Sequence, residues 1–151
     1  MANNLVLVAD GERSSLDLVA SALASEPLVL DLEIDGLKAW ERLCSADEPH
    51  ALVLLDARLP GLDGLSFLRR MRADARFGET PAIILTSVYS QEKVNEGLKA
   101  GAYYYLIKPF QPEALAPIVR GALEDYRGLR MIRDFSGQGG IPVKLPVSAE
   151  Y

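Results

Sequence analysis

Histidine and cysteine are nearly absent from this sequence, which contains one of each in 151 residues. The lone Cys44 cannot form an internal disulfide, which is compatible with a reducing compartment. The lone His50 has no neighbours that would complete a histidine metal cluster or a Ser-His-Asp triad. Both residues are interpreted as incidental to function, and any site must be built from other side chains.

The sequence also lacks an excess of positive charge and any long apolar run. Its net charge is -5 and its pI is about 4.9, which argues against direct binding of nucleic acid. The start, MANNLVLVAD, has no basic segment like that of a signal peptide, and no run is long enough to span a membrane. These absences predict a cytoplasmic protein without a membrane partner.

Apolar residues make up 49% of the chain, enough for a core in one domain. Segments with helical spacing, such as the one containing Leu16, Val19 and Leu23, separate five short apolar runs. This alternation predicts an α/β fold, with a parallel sheet whose strands are covered by helices on both faces. The predicted strands are Leu5–Ala9, Leu28–Leu32, Ala51–Leu55, Ala82–Leu85 and Tyr103–Ile107.

Polar residues that can do chemistry follow four of these strands. Asp10, Asp56, Thr86 and Lys108 end the first, third, fourth and fifth strands. Glu33 and Asp35 follow the second strand and should lie further out. Because ligands bind at the carboxyl ends of parallel strands, the four residues are expected to converge on one site.

Two carboxylates, a hydroxyl and an ammonium suit phosphoryl chemistry. Carboxylates are ligands for Mg²⁺, a lysine supplies a point charge for a phosphoryl group, and an aspartate can be the nucleophile. Each residue also has a simpler interpretation. Asp56 could cap its own loop, Thr86 could simply favour a strand, and Lys108 could be a solvated loop residue.

Four motifs resemble the receiver domain of bacterial two-component response regulators: LVLVADGE, LVLLDARLPGLDG, PAIILTS and GAYYYLIKPF. In this order and spacing they are highly specific, and the resemblance covers nearly all of residues 4–126. It implies a flavodoxin-like, doubly wound sheet of five strands in the order 2-1-3-4-5.

The resemblance implies a role for each residue of the site. Asp56 would be the phosphoacceptor and Asp10 a member of the acidic pocket. Thr86 would be the switch hydroxyl, Lys108 the phosphate-pairing lysine, and Tyr105 the aromatic side chain that moves inward on activation. The bond from Lys108 to the following proline matches one that is often cis in the family.

The implied cofactor is Mg²⁺, and here the sequence departs from the family. Asp10, Asp56 and the main-chain carbonyl of Arg58 would bind the metal. The family usually has a second acid after the first strand, but this chain has Gly11, so Mg²⁺ should bind more weakly. Glu12 is a further candidate ligand, and a shift of Asp10 is the alternative.

Other features receive structural interpretations. Asp63 and the glycine after it predict a helix start, and Trp40 is expected to pack in or near the core. The three tyrosines at 103–105 are either ordinary strand residues or an aromatic patch on the output face. Residues 1–126 are expected to form the receiver domain. Residues 127–151 are expected to be a helix extension, marked by arginines at 127, 130 and 133, and a tail containing glycine and proline.

The predicted function is phosphoryl acceptance at Asp56 from a histidine kinase or a phosphotransfer protein. Phosphorylation would switch the face formed by the fourth helix, fifth strand and fifth helix, which would bind a downstream protein or a second copy. The chain would catalyse at most its own phosphorylation and dephosphorylation. The main alternative is a phosphorylation-independent pseudo-receiver, which Gly11 favours. A haloacid-dehalogenase-type phosphatase is disfavoured, because Arg58 stands where that class needs a general acid.

Overall fold

The computed structural model describes the backbone of residues 4–136 and the side chains of residues 4–124. None of the helices in this range is both long enough and apolar enough to cross a membrane. Strands and helices alternate throughout: β1 (Leu5–Ala9), α1 (Arg13–Ala22), β2 (Val29–Glu33), α2 (Gly36–Ser45), β3 (Leu52–Leu55), α3 (Gly64–Ala73), β4 (Ala82–Thr86), α4 (Gln91–Lys99), β5 (Tyr104–Ile107) and α5 (Pro112–Ser136).

The strands form one parallel sheet in the order β2-β1-β3-β4-β5. This confirms the predicted flavodoxin-like topology. β1 lies between β2 and β3, with Val8 paired to Leu32 on one side and to Leu54 on the other. The order of the strands therefore reverses at β1, and the crevice for a ligand lies at the carboxyl ends of β1 and β3.

The sheet has a hydrophobic core on each face. α1 and α5 cover one face, and α2, α3 and α4 cover the other. Each fully buried aliphatic or aromatic side chain contributes about 1.5–3 kcal/mol relative to an exposed one. The largest fully buried side chains are Phe67, Leu7, Leu16, Leu52, Leu54, Leu55, Leu68, Met71, Ile83, Ile84, Leu85 and Leu115.

The edge strand β2 departs from the prediction that each strand is an apolar run covered by helices on both faces of the sheet. Asp31 and Glu33 project from one face and both form ion pairs with Arg42 of α2. The side chain of His50 is fully buried, with Nε2 3.0 Å from Asp31 Oδ2. His50 therefore has a structural contact with β2, and the interpretation that it is incidental to function stays a prediction. An edge strand tolerates these charges because partners from α2 and the α2–β3 loop cover them.

Other local predictions agree with the structure, with small shifts in boundaries. The Asp63 carboxylate accepts a hydrogen bond from Ser66 N (2.9 Å) and caps α3. Trp40 packs edge-on against Phe67, with ring centroids 5.3 Å apart. β2, β3 and β5 begin one residue later than predicted, and β2 and β4 end one residue later. α5 continues to Ser136, as the arginine spacing predicts. The tail at 137–151 lies outside the described residues, and the domain boundary at residue 126 stays a prediction.

Candidate functional site

Two carboxylates and one ammonium meet at the edge where β1, β3 and β5 end. Main-chain hydrogen bonds fix the residues that carry two of these groups in register just beyond the strands. Asp56 N donates to Ala9 O at 2.9 Å, and Lys108 N donates to Thr86 O at 2.9 Å. The parallel sheet therefore brings Asp10, Asp56 and Lys108 together from positions far apart in sequence, as predicted.

Lys108 links the two carboxylates directly. Its Nζ lies 2.6 Å from Asp10 Oδ2 and 2.7 Å from Asp56 Oδ2. The exposed fractions of the side chains are 17% for Lys108, 3% for Asp10 and 10% for Asp56. Two carboxylates this deeply buried are tolerated only because a cation pairs with both of them.

Burial and ion pairing act on these groups in opposite directions. Burial raises the pKa of Asp10 and outweighs the lowering effect of the Lys108 hydrogen bond. Burial also works against the charged form of Lys108, but hydrogen bonds with Asp10 and Asp56 outweigh it and raise the pKa of Lys108. The surroundings therefore favour the charged form of Lys108, whereas burial makes the charged form of Asp10 costly.

The second oxygen of each carboxylate accepts a hydrogen bond from the backbone two residues further on. Glu12 N donates to Asp10 Oδ1 at 2.9 Å, and Arg58 N donates to Asp56 Oδ1 at 2.8 Å. These local bonds hold both side chains facing Lys108. Each ionised carboxylate retains lone pairs beyond the bonds it accepts here, so Asp56 keeps the capacity to act as a nucleophile.

Thr86 and Tyr105 both contact one residue of the β4–α4 loop. Thr86 is fully buried, and its Oγ1 accepts a hydrogen bond from Val88 N at 3.2 Å. The Tyr105 hydroxyl donates to Val88 O at 2.9 Å. Burial, and then the charges of Asp56 and Glu96, raise the pKa of Tyr105. These two residues therefore connect the carboxylate site to the loop that precedes α4.

The row of tyrosines on β5 does not form an aromatic surface patch. Tyr104 and Tyr105 are buried in the two cores on opposite faces of the sheet, and only Tyr103 is half-buried. The interpretation as strand residues is therefore correct, and the alternative of an output-face patch is wrong. Among the described aromatic residues, the most exposed is Tyr89 of the β4–α4 loop, at 59%, which the sequence did not single out.

Comparison with known proteins identifies the family. The family model of the response regulator receiver domain matches residues 6–120. The chain belongs to this family. The chemotaxis protein CheY1 of Helicobacter pylori is 37% identical to this receiver over 87 residues, which is 58% of this chain and 68% of CheY1. The response regulator Rre1 of Synechocystis is 34% identical, with 93% of this chain and 70% of Rre1 aligned.

Solved structures share the fold of this receiver domain. The chemotaxis protein CheY4 of Vibrio cholerae superposes with a TM-score of 0.73 at 29% sequence identity. The superposition covers 81% of this chain and 100% of the CheY4 chain. The chain is thus a response regulator receiver domain of two-component signalling. Proteins of this family act with histidine kinases or phosphotransfer proteins and with downstream targets.

Receiver domains generally bind Mg²⁺ in their acidic pocket. Within the described residues, no three His, Cys, Asp or Glu side chains are grouped to hold a metal. Asp10 and Asp56 supply two carboxylates. A Cβ atom on Gly11 would lie 3.8 Å from the main-chain oxygen of Arg58, so this carbonyl is next to the vacant acid position. Mg²⁺ is commonly held by one or two carboxylates and several waters, so these donors fit the ion.

Glu12 lies at the margin of the pocket. Its backbone N–H binds Asp10, while its exposed side chain accepts a hydrogen bond from Ser15 Oγ at 3.3 Å. Its role as a metal ligand stays a prediction, as do the roles of Asp10 and of the Arg58 carbonyl.

Ser15 is a site residue that the sequence did not reveal. Its Oγ lies 3.0 Å from Lys108 Nζ and is the third partner of that ammonium. Ser14 and Ser15 follow Arg13 in the first turn of α1. The phase of the helix turns Ser15 toward the pocket and leaves Ser14 exposed. That phase was visible in the apolar positions Leu16 and Val19, but the contact depends on where α1 packs against the sheet.

Proposed function

We propose that Asp56 accepts a phosphoryl group from a phosphohistidine of a histidine kinase or phosphotransfer protein. A carboxylate oxygen of Asp56 attacks phosphorus and forms a new O–P bond. The P–N bond to the donor imidazole breaks, and its electron pair stays on the nitrogen, which takes up a proton from water. The ionised carboxylate needs no general base.

The observation that supports this proposal is the ammonium of Lys108 between the two carboxylates. Phosphoryl transfer depends mainly on positioning and on neutralising charge at the phosphoryl oxygens. Lys108 Nζ lies 2.7 Å from Asp56 Oδ2, so it can pair with a phosphoryl group carried by that residue. Its 17% exposed side chain interacts in surroundings where charge is screened less than in water.

Mg²⁺ would be held by Asp10, Asp56 and the Arg58 carbonyl, with Glu12 as a further candidate. When bound, the ion neutralises part of the charge on the phosphoryl oxygens. The chain's own residues position Asp56 through the Arg58 N–H and keep Lys108 beside it. With two carboxylates in the pocket, we expect weak binding of Mg²⁺.

The signal would pass through Thr86 and Tyr105. A phosphoryl group on Asp56 would attract the Thr86 hydroxyl, whose oxygen now accepts from Val88 N. Because Tyr105 binds the carbonyl of Val88, movement of this loop changes the packing of Tyr105 and of α4. This would shift an equilibrium of the α4–β5–α5 face, where a downstream protein or a second copy of the chain would bind.

Intact-protein mass spectrometry tests the proposal. The protein is incubated with acetyl phosphate or phosphoramidate, in Mg²⁺ and in EDTA, beside an Asp56→Asn control. We expect one phosphoryl adduct that requires Mg²⁺ and is absent from Asp56→Asn. A folded protein that acquires no adduct at any Mg²⁺ concentration would overturn phosphoryl acceptance.

Two observations favour a second candidate, a pseudo-receiver that binds its partner without phosphate. Gly11 removes one acid from the pocket. Tyr105 is already packed inside the protein, with 3% exposure and its hydroxyl on Val88 O. The resemblance assigns this inward position to the activated state. Partner binding that is equally tight for the wild type and Asp56→Asn, without an adduct, would support the pseudo-receiver.

A further inference from the structure

We propose that Ser15 is a positioning residue for Lys108, and that it keeps the ammonium in place when Asp56 takes up a phosphoryl group. The second half of this statement rests on the proposed function, and the first half does not. Ser15 lies in the first turn of α1 and contacts Lys108 across 93 positions of sequence.

The hydrogen-bond count of Lys108 is the first argument. An ammonium has three N–H donors. The three acceptors around Nζ are Asp10 Oδ2 at 2.6 Å, Asp56 Oδ2 at 2.7 Å and Ser15 Oγ at 3.0 Å. Every N–H therefore has a protein acceptor, and the position of the nitrogen is fixed by one residue of α1 and by the residues that follow β1 and β3.

The orientation of the serine hydroxyl is the second argument. Ser15 Oγ donates its proton toward Glu12 Oε1 at 3.3 Å. A hydroxyl has one proton and two lone pairs, so the oxygen faces Lys108 with a lone pair. Glu12 thus orients Ser15, and Ser15 in turn orients Lys108.

The consequence appears when the charge on Asp56 changes. Formation of the O–P bond converts the carboxylate into an acyl phosphate, and the negative charge moves outward to the phosphoryl oxygens. Lys108 must then direct the N–H that now binds Asp56 toward those oxygens. Its other two N–H groups remain on Asp10 and Ser15, so the ammonium turns without leaving the pocket. Without the hydroxyl, Asp10 alone holds it, and the approach to the phosphoryl group is less well defined.

The experiment compares Ser15→Ala with Ser15→Thr, which keeps a hydroxyl, and with Ser14→Ala. Ser14 is the exposed neighbour in the same helical turn and controls for changes in α1 itself. The first readout is the ¹⁵N–¹H NMR signal of the Lys108 ammonium, assigned by its absence from Lys108→Met. A hydrogen-bonded, protected ammonium exchanges its protons slowly enough to be observed. The second readout is the rate at which acetyl phosphate and Mg²⁺ phosphorylate Asp56.

We expect Ser15→Ala to shift or broaden the ammonium signal and to slow phosphorylation about tenfold, the scale of one charge-assisted hydrogen bond. Ser15→Thr and Ser14→Ala should resemble the wild type in both readouts. An unchanged ammonium signal in Ser15→Ala overturns the positioning role, and an unchanged rate overturns its part in phosphorylation. If the wild type itself acquires no phosphoryl group, the proposed function fails. The ammonium signal needs no donor and still decides whether Ser15 holds Lys108.

Discussion

Gly97 and Tyr105 are in such close contact that a side chain on the first would collide with the ring of the second. A Cβ atom on Gly97 would lie 2.9 Å from Cδ2 of Tyr105 and 3.1 Å from Cε2. The inward position of Tyr105 therefore requires a glycine at this point of α4. If Tyr105 moves on activation as predicted, Gly97 is the residue that leaves room for its inward position.

Gly97→Ala should displace Tyr105 from its site. An alanine normally stabilises a helix by about 1 kcal/mol relative to glycine. Here we expect a net loss on the order of 1–2 kcal/mol, since ring burial and the hydrogen bond to Val88 are both disturbed. Urea unfolding measures the free energy, and tyrosine NMR spectra report the position of the ring.

Two further variants isolate the contact. In a Tyr105→Ala background there is no ring to displace, so Gly97→Ala should become stabilising, as a double-mutant cycle would show. Gly121→Ala in α5 is the matched control, because the only close atom that a Cβ there meets is the hydroxyl oxygen at the end of the Tyr103 side chain, at 3.3 Å. If Gly97→Ala stabilises the wild type as much as Gly121→Ala does, the ring does not occupy this position in solution.

Asp10→Asn should stabilise the domain at neutral pH. Burial raises the folded-state pKa of Asp10 above its usual 3.8. The folded state therefore binds the proton of the Asp10 carboxyl group more tightly than the unfolded state does. The stability that this protonation contributes is present below pH 3.8 and is lost as the pH rises through the folded-state pKa. Asparagine is uncharged at every pH and removes this cost, while its oxygen can still accept from Lys108.

Thermal unfolding between pH 3 and pH 8 checks this expectation. The Tm of Asp10→Asn should exceed that of the wild type at pH 7, and the difference should shrink as pH falls toward 3.8. Each kcal/mol corresponds to about 2–4 °C in a domain of this size. A lower Tm for the variant at pH 7 would show that the Asp10–Lys108 ion pair outweighs the cost of burying the carboxylate.

The sequence predicted the sheet and the convergence of the site because both follow from local pattern and simple topology. The apolar runs define the strands, and parallel strands place Asp10, Asp56 and Lys108 at one edge whatever the details of packing. The same reasoning failed for β2, where Asp31 and Glu33 are covered by Arg42. That ion pairing depends on how α2 lies across the edge strand, which periodicity does not encode.

Contacts between elements that are distant in the chain also could not be predicted from the sequence pattern. The Ser15 hydroxyl reaches Lys108 only because α1 packs beside the end of β5. The burial of Tyr104 and Tyr105 depends on which helices cover the end strand of the sheet, so pattern alone left two interpretations open. Individual residues that end strands were predictable, whereas their partners from helices were not.

Arg72 should be among the most sensitive charged residues outside the site. Its guanidinium donates to the carbonyl oxygens of Phe77, Gly78 and Thr80 and to that of Gly101, at 2.8–3.3 Å. It thereby joins the loop before β4 to the turn before β5. Arg72→Met should cost about 2–4 kcal/mol in the free energy of unfolding, because four partly buried carbonyls lose a charged donor.

Arg72→Lys should recover only a small part of that loss. A single ammonium group cannot reproduce the planar arrangement of N–H donors with which the guanidinium group reaches several carbonyls. Arg69→Met is the control. Arg69 is 57% exposed and lies 3.9 Å from Glu96, so its loss should change stability by less than about 0.5 kcal/mol. Equal effects of Arg72→Met and Arg69→Met in urea unfolding would contradict the bridging role.

Gly11→Asp should strengthen the binding of divalent cations. The new Cβ would lie 3.8 Å from the Arg58 carbonyl oxygen, so its carboxylate would be close to the predicted ligands of the metal. It would also lie 3.1 Å from Cδ of Pro60, which must move by a few tenths of an ångström. Gly11→Ala introduces that steric contact without the charge and is the matched control. We expect affinity for Mg²⁺, measured by titration calorimetry, to rise about tenfold in Gly11→Asp alone, because affinity follows the number of charged ligands. Equal affinities in the two variants would mean that the vacant acid position does not face the metal.

The phosphorylation assay on the same proteins then separates the two candidate functions. A wild type that is phosphorylated more slowly than Gly11→Asp is a working switch with a weakened metal site. The other outcome is that Gly11→Asp is phosphorylated and the wild type is not. The wild type would then have the fold of a switch but act as a phosphate-independent binding module.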